Sequence, residues 1–239
     1  MNVLVACEES QAVTKAFRKL GIDAYSCDLL PCSGGHPEWH FNMDVFQLIE
    51  NGGGTLQSGK VVIVEKWDLM IAHPPCTFLA VSGARWFYDP EDASLPIEKR
   101  RPHPKFPNRR NDQKAAVEFI KNLWDSDIDH IAIENPIGVL SSVWKKPNQI
   151  VQPYHFGDEA SKSTCLWLKG LPNLSPTKIV GKGEMVVLKS GKKLPKWYSD
   201  ALVNSRSTEE RRTLRSKTFE GIANAMAMQW STYVENYGE

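Results

Sequence analysis

The chain has 239 residues, 41% of them hydrophobic and 24% charged, with 29 Lys and Arg against 28 Asp and Glu. That length and balance fit a folded domain with a substantial core and exclude disordered, collagen-like and disulfide-scaffold classes. A formal net charge of +1 excludes a uniformly basic coat for nucleic acid, and the five irregularly spaced cysteines make no disulfide framework.

The chain opens directly into a strand-like run, Met1 to Ala6, rather than a leader, and no apolar run reaches membrane-spanning length. The expectation is a soluble protein of a reducing, cytoplasmic compartment. Val3 to Ala6 reads as a buried strand. Val13, Ala16, Phe17 and Leu20 follow with the spacing of an amphipathic helix, stopped by Gly21. Ala24 to Cys27 is a second strand ending on Asp28, and Asn42 to Val45 a third short one carrying Asp44. Asn51 to Gly54 and Ser58-Gly59 are turn chemistry. Trp67 to Ala72 is a further strand, stopping at His73-Pro74-Pro75-Cys76.

From Tyr88 to Gln113 the pattern fails and five prolines predict an extended loop. Between Glu98 and Lys114, seven Lys and Arg (Lys99, Arg100, Arg101, Lys105, Arg109, Arg110 and Lys114) face two acids, Glu98 and Asp112. Ala116, Phe119, Ile120 and Leu123 restore a helical period. Ile131 to Ile133 is a buried strand ending on Glu134-Asn135-Pro136. Thr164 to Leu168 is another strand, and Met185 to Leu188, the Ser190-Gly191 turn and Leu194 predict a hairpin. Lys178 to Lys196 holds six lysines against Glu184. Phe219 to Tyr233 is helical. Strands alternating with helices predict a mostly parallel α/β sheet with helices on both faces.

In such a sheet, ligands bind beyond the carboxyl ends of the strands. Glu8-Glu9, Asp28, Asp44, Pro74-Pro75-Cys76 and Glu134-Asn135 all fall at such ends. Taken singly, each acid also fits a solvated loop; together they favour a cofactor. Asp28 is placed for ribose hydroxyls and Asp44 for an amino group of the same ligand. Cys76 follows two prolines that stiffen the backbone, which suits a nucleophile; a small buried thiol is the competing reading. Glu134, closing a hydrophobic strand, suits an acid held protonated or half-desolvated. Cys27, Cys32, His36 and His40 are zinc-type ligands, but their spacing resembles no standard finger and no metal is expected. Trp86, Phe87 and Tyr88 fit either base stacking or cover of the core.

The ordered set Ala6-Cys7-Glu8-Glu9-Ser10, Asp28, Asp44, Pro74-Pro75-Cys76 and Glu134-Asn135 resembles the DNA cytosine-5 methyltransferases. Phe219 to Met226 is similar to the family's last motif. Ile71 to Thr77, Ser82 to Trp86 and Lys162 to Leu168 are similar to its compact phage and prophage members. The resemblance implies a Rossmann-like methyltransferase fold that binds S-adenosylmethionine through Glu8, Glu9, Asp28, Asp44, Pro74 and Asn224. It implies that Cys76 attacks C6 of a flipped cytosine in DNA while Glu134 stabilises or protonates N3 and the exocyclic amine, activating C5. Pro75, Asn135, Arg85, Lys162 and Thr164 are the implied substrate contacts.

The chain departs from the family in three places. The glycine-rich first motif is replaced by Ala6-Cys7-Glu8-Glu9-Ser10. The Gln-x-Arg-x-Arg strand is not recognisable, with Lys162 and Thr164 as candidate substitutes. The large target-recognition domain is reduced to residues 171–213, an insertion between catalytic segments 1–170 and 214–239. DNA contact then falls to that lysine-rich stretch and to Lys99 to Arg110. Two other functions fit the same residues: methylation of cytosine in a free nucleotide or RNA, and a degenerate fold that binds DNA or a partner without catalysis.

Overall fold

In the computed structural model, residues 1–188, 191, 193–207, 210, 214 and 216–237 are described. Seven strands form the central sheet: β1 (Asn2–Ala6), β2 (Asp23–Asp28), β3 (His40–Asn42), β6 (Leu69–Ala72), β7 (His130–Pro136), β8 (Gln149–Val151) and β9 (Thr164–Lys169). Two further strands, β4 (Gly53–Thr55) and β5 (Val61–Ile63), make a separate hairpin. The sheet order is β3-β2-β1-β6-β7-β9-β8. From β3 to β7 every pairing is parallel, whereas β9 runs antiparallel to both β7 and β8. The chain leaves β1 toward β2 on one side and returns to β6 on the other. That reversal opens a crevice beyond the carboxyl ends of β1 and β6.

The alternation of side chains along β1 sorts the core into two layers. Leu4 and Ala6 join Met70, Ala72, Ile131 and Ile133 on one face, covered by Leu48 of α2 (Val45–Asn51) and by Val117, Ile120 and Leu123 of α3 (Arg109–Trp124). Val3 and Val5 face the other way with Ile71 and Ala132. There they meet Val13 and Phe17 of α1 (Ala12–Lys19) and Ile222, Met226 and Trp230 of the last helix, α6 (Glu220–Tyr237). Burying each such large side chain contributes roughly 1.5–3 kcal/mol relative to leaving it in water. Gly21 ends α1 as expected, at φ 79°. A short helix, α4 (Leu140–Val143), follows β7.

Several elements differ from what the sequence predicts. The third strand lies earlier, at His40–Asn42, because Asp44 is the N-cap of α2: its Oδ1 accepts from the amides of Phe46 and Gln47. Helix α3 starts at Arg109, well before the first apolar repeat at Ala116, since its opening turns are polar. The preceding segment is not fully extended but holds short 3-10 turns at Val81–Trp86, Pro90–Asp92 and Ile97–Lys99. The insertion contains the expected hairpin, β10 (Met185–Val187) with β11 (Lys193–Pro195), and a helix that the periodicity does not announce, α5 (Lys196–Asn204). Lys189, the turn residue Ser190, Lys192 and the boundary at Thr213 lie outside the described residues. Among the described residues, no helix is long and apolar enough to cross a membrane.

Candidate active site

A cavity of about 380 Å³ opens at the crevice between β1 and β6. Cys7, Asp28, Met43, Asp44, Pro75, Phe78, Asp112 and Phe119 are among its lining residues, and among the described residues no Lys, Arg or His lines it. The strand ends therefore bring Asp28, Asp44 and Pro75 to one space. Helix α3 adds a third acid, Asp112, which along the chain reads only as loop charge. Asp28 Oδ1 accepts from the Leu30 amide at 2.8 Å. Burial pushes the Asp28 carboxyl above its ordinary value, with nearby Glu9 adding to the effect and the Leu30 amide opposing it. Asp44 uses Oδ1 to cap α2; among the described residues, Oδ2 has no hydrogen-bond partner.

The loop between β1 and α1 is built without glycine. Cys7 and Gln11 instead take left-handed backbone, at φ 58° and 57°. Burial, with Asp28, Cys27 and Asp44 around it, pushes the Cys7 thiol far up and keeps it neutral. Glu8 is buried and turned away from the cavity. Its carboxylate accepts from the Val13 amide at 2.7 Å, the Thr14 amide at 3.2 Å and the Thr14 hydroxyl at 2.7 Å, satisfying the start of α1. Glu9 accepts from the Ser33 hydroxyl at 2.7 Å, and Gln11 bonds both the amide and the carbonyl of His36. These contacts tie the first loop to the loop after β2. Glu8 and Glu9 thus serve the frame around the cavity and do not line it.

The second half of the site lies at the ends of β6 and β7. Ala72 pairs with Ile133, so the next residues, His73 and Glu134, face each other. His73 Nδ1 lies 3.1 Å from Glu134 Oε2, with only 11% and 12% of the two side chains exposed. Burial raises the Glu134 carboxyl, but the His73 hydrogen bond and the fields of Lys162 and His73 outweigh it, and the group is held below the usual carboxylate range. That direction favours the carboxylate, the half-desolvated rather than the protonated form of the two that the sequence allows. Asn135, 1% exposed, donates from Nδ2 to the Pro74 carbonyl at 2.9 Å. Pro74 is buried, Pro75 exposed and Cys76 half-buried.

Two more contacts fix the Cys76 loop. The amides of Leu79 and Ala80 both donate to the Cys76 carbonyl at 3.0 Å. Arg109 is buried, donates to the Thr77 carbonyl at 2.8 Å and lies over the rings of Phe78 and Phe87. Arg109 is thus a loop anchor, not the exposed phosphate contact expected of it. The basic loop is similarly depleted elsewhere: Arg100 donates to the carbonyls of Ala93 and Leu95, and Arg101 is bound by Asp92, Asp89 and Glu91. Lys99, Lys105, Arg110 and Lys114 are exposed.

Thr164 pairs with Pro136 across β7 and β9, which brings the start of β9 beside Glu134. Thr164 is buried, its hydroxyl 3.4 Å from the Lys162 carbonyl, and Lys162 Nζ reaches the Lys217 carbonyl at 3.3 Å. Arg85 is exposed and lies over Trp86, which packs on His103 and Phe106; Phe87 is buried. Asn224 sits exposed within α6 and does not line the cavity. The four zinc-type residues do not converge. His40 bonds Ser26 and the Leu30 carbonyl, His36 stacks on Trp39, and Cys27, pushed up to about 12 by burial and by Asp28 and Asp44, donates to the Met43 carbonyl.

No protein-family model matches the chain, and no curated protein matches it.

Proposed function

We propose that the protein is a DNA cytosine-5 methyltransferase that uses S-adenosylmethionine. The observation that carries this reading is the position of Pro75: it lines the acidic cavity and is bonded to Cys76, so a ligand held there and a base attacked by Cys76 are neighbours. The cavity is of a size for a nucleoside-scale ligand. Its three carboxylates, unopposed by lining cations among the described residues, suit a ligand with sulfonium and ammonium groups and repel a nucleotide diphosphate. Asp28 is available to ribose hydroxyls and Asp44 Oδ2 to an exocyclic amine, with Met43, Phe78 and Phe119 as apolar walls. When bound, S-adenosylmethionine supplies an electrophilic methyl group.

The residues at the ends of β6 and β7 prepare the acceptor. Cys76 sulfur forms a bond to C6 of cytosine, and the C5=C6 π pair moves toward C5 and N3. The thiol proton passes to Glu134, which begins as a carboxylate and delivers that proton to N3. C5 becomes nucleophilic only in this adduct; after it is methylated, N3 returns its proton to Glu134, and loss of the C5 proton to a solvent base expels the Cys76 thiolate. The exposed cations Arg85, Lys99, Lys105, Arg110 and Lys114 hold the DNA backbone.

The test is transfer of an isotope-labelled methyl group to cytosine-containing DNA of varied sequence, followed by nucleoside analysis. Label in 5-methyldeoxycytidine is the expected result. Label on an amino nitrogen, or only on RNA or free nucleotide, contradicts the reading.

A further inference from the structure

The mechanism leaves the largely enclosed His73 ring beside Glu134 without a role. Strand register places His73 opposite Glu134, and the His73 amide is itself fixed by the Ala6 carbonyl at 2.9 Å. Its Nδ1 meets Glu134 Oε2 at 3.1 Å, whereas its buried Nε2 has no hydrogen-bond partner among the described residues. The carboxylate faces Nδ1, so Nδ1 carries a proton and donates it to Glu134 Oε2.

We propose that His73 is a positioning residue that occupies Oε2 of Glu134 as a donor from Nδ1 and so selects Oε1 as the oxygen that takes and delivers the proton. This rests on the function proposed above. The charged and titratable groups around Glu134 fit the assignment. Lys162, before β9, attracts the carboxylate; Cys165, one residue before the Leu166 that pairs with Glu134, is pushed up to about 11 by burial and by Glu134, and so stays a neutral thiol. Among these partners, His73 makes the direct hydrogen bond. A carboxyl with one oxygen held by a donor carries its acidic proton on the other. Without His73, the proton is shared between the two oxygens and the group is free to turn.

The experiment compares wild type with His73→Asn, which keeps a neutral amide donor near the Nδ1 position, and His73→Leu, which has none. General acid–base groups contribute about 10²–10⁴ in rate, and misorientation forfeits part of that. His73→Leu is expected to lower kcat on the order of tenfold to a hundredfold, with little change in KM for DNA. His73→Asn should recover most of the loss. Equal defects in both variants, or a normal kcat in His73→Leu, would overturn the assignment.

Two nuclear magnetic resonance readings do not depend on activity. The ¹⁵N shifts of His73 in wild type should report a proton on Nδ1; a ring whose proton sits on Nε2 alone overturns the proposal even if His73→Leu fails to fold. The ¹³C titration of the Glu134 carboxyl should move upward in His73→Leu, and an unmoved midpoint also overturns it. A wild type that methylates no DNA but gives both expected resonances would refute the proposed reaction while leaving the His73–Glu134 contact intact.

Discussion

The side-chain amide of Asn135 donates to the main-chain carbonyl of Pro74 at 2.9 Å, so the residue that follows Glu134 holds the loop that carries Cys76. The lacing continues beyond it: the Val139 amide donates to the Leu79 carbonyl and the Val81 amide to the Ile137 carbonyl. Gly138 packs so closely on Leu79 that a Cβ there would run into the Leu79 carbonyl. The two strand ends form one rigid platform rather than two independent loops.

Breaking that platform should therefore reduce rate before it reduces cofactor affinity. Asn135→Leu leaves the Pro74 carbonyl unmatched in a buried position, at a cost of about 1–3 kcal/mol in stability. Denaturant unfolding measures that loss. Binding of S-adenosylmethionine, followed by calorimetry, should stay within about threefold, because Asp28 and Asp44 are untouched, while kcat falls by roughly tenfold or more.

Glu8 is expected to matter for folding. Glu8→Ala removes the acceptor for two amides and one hydroxyl at the start of α1, in the interior. A loss of about 3 kcal/mol follows, which for a chain of this size lowers Tm by roughly 10 °C. A Tm unchanged by Glu8→Ala, read by differential scanning calorimetry, would show that the carboxylate does not hold α1.

Asp28 makes the opposite prediction. Its folded-state pKa is raised by burial above its ordinary value near 3.8, so the folded protein holds the proton more tightly than the unfolded chain does. Ionised Asp28 then costs stability at neutral pH. The cost shrinks as pH falls through the raised folded value and vanishes below the unfolded one. Asp28→Asn should accordingly raise Tm at pH 7 and leave it unchanged near pH 3, while weakening S-adenosylmethionine binding by about tenfold. Thermal scans from about pH 3 to 8 with both proteins measure the difference.

The cations of the Pro-rich loop and of the start of α3 separate into two groups with different signatures. Replacing Lys105, Arg110 and Lys114 with alanine should weaken DNA binding on all sequences and reduce the salt slope by about one for each phosphate no longer neutralised. Arg101→Ala should leave that slope unchanged and instead loosen the loop, since Asp89, Glu91 and Asp92 already hold the Arg101 guanidinium. Binding titrations at several salt concentrations distinguish the two groups.

Much of this arrangement is legible along the chain because each apolar strand stops abruptly on polar residues. Asp28 and Pro75 can be placed at the crevice from strand ends alone, and Asp44 only from its proximity to one. What the chain order hides is what tertiary packing decides. Arg109 reads as one basic residue among seven, and its burial depends on Thr77, Phe78 and Phe87 arriving from an earlier loop. His73 gains its partner from the register of β6 on β7. Glu8 looks like a ligand residue until α1 turns its open amides onto it. The polar opening of α3 conceals both the helix start and Asp112, because hydrophobic periodicity is silent on a solvated turn.

The central claim is that Cys76 bonds covalently to a cytosine beside the acidic cavity. DNA containing 5-fluorocytosine tests it directly, because fluorine at C5 cannot leave as a proton does and the adduct is trapped. The account predicts a complex stable to denaturing electrophoresis that requires S-adenosylmethionine and disappears in Cys76→Ser. An adduct that persists in Cys76→Ser, or none on DNA of varied sequence by a protein that binds the cofactor, would contradict it.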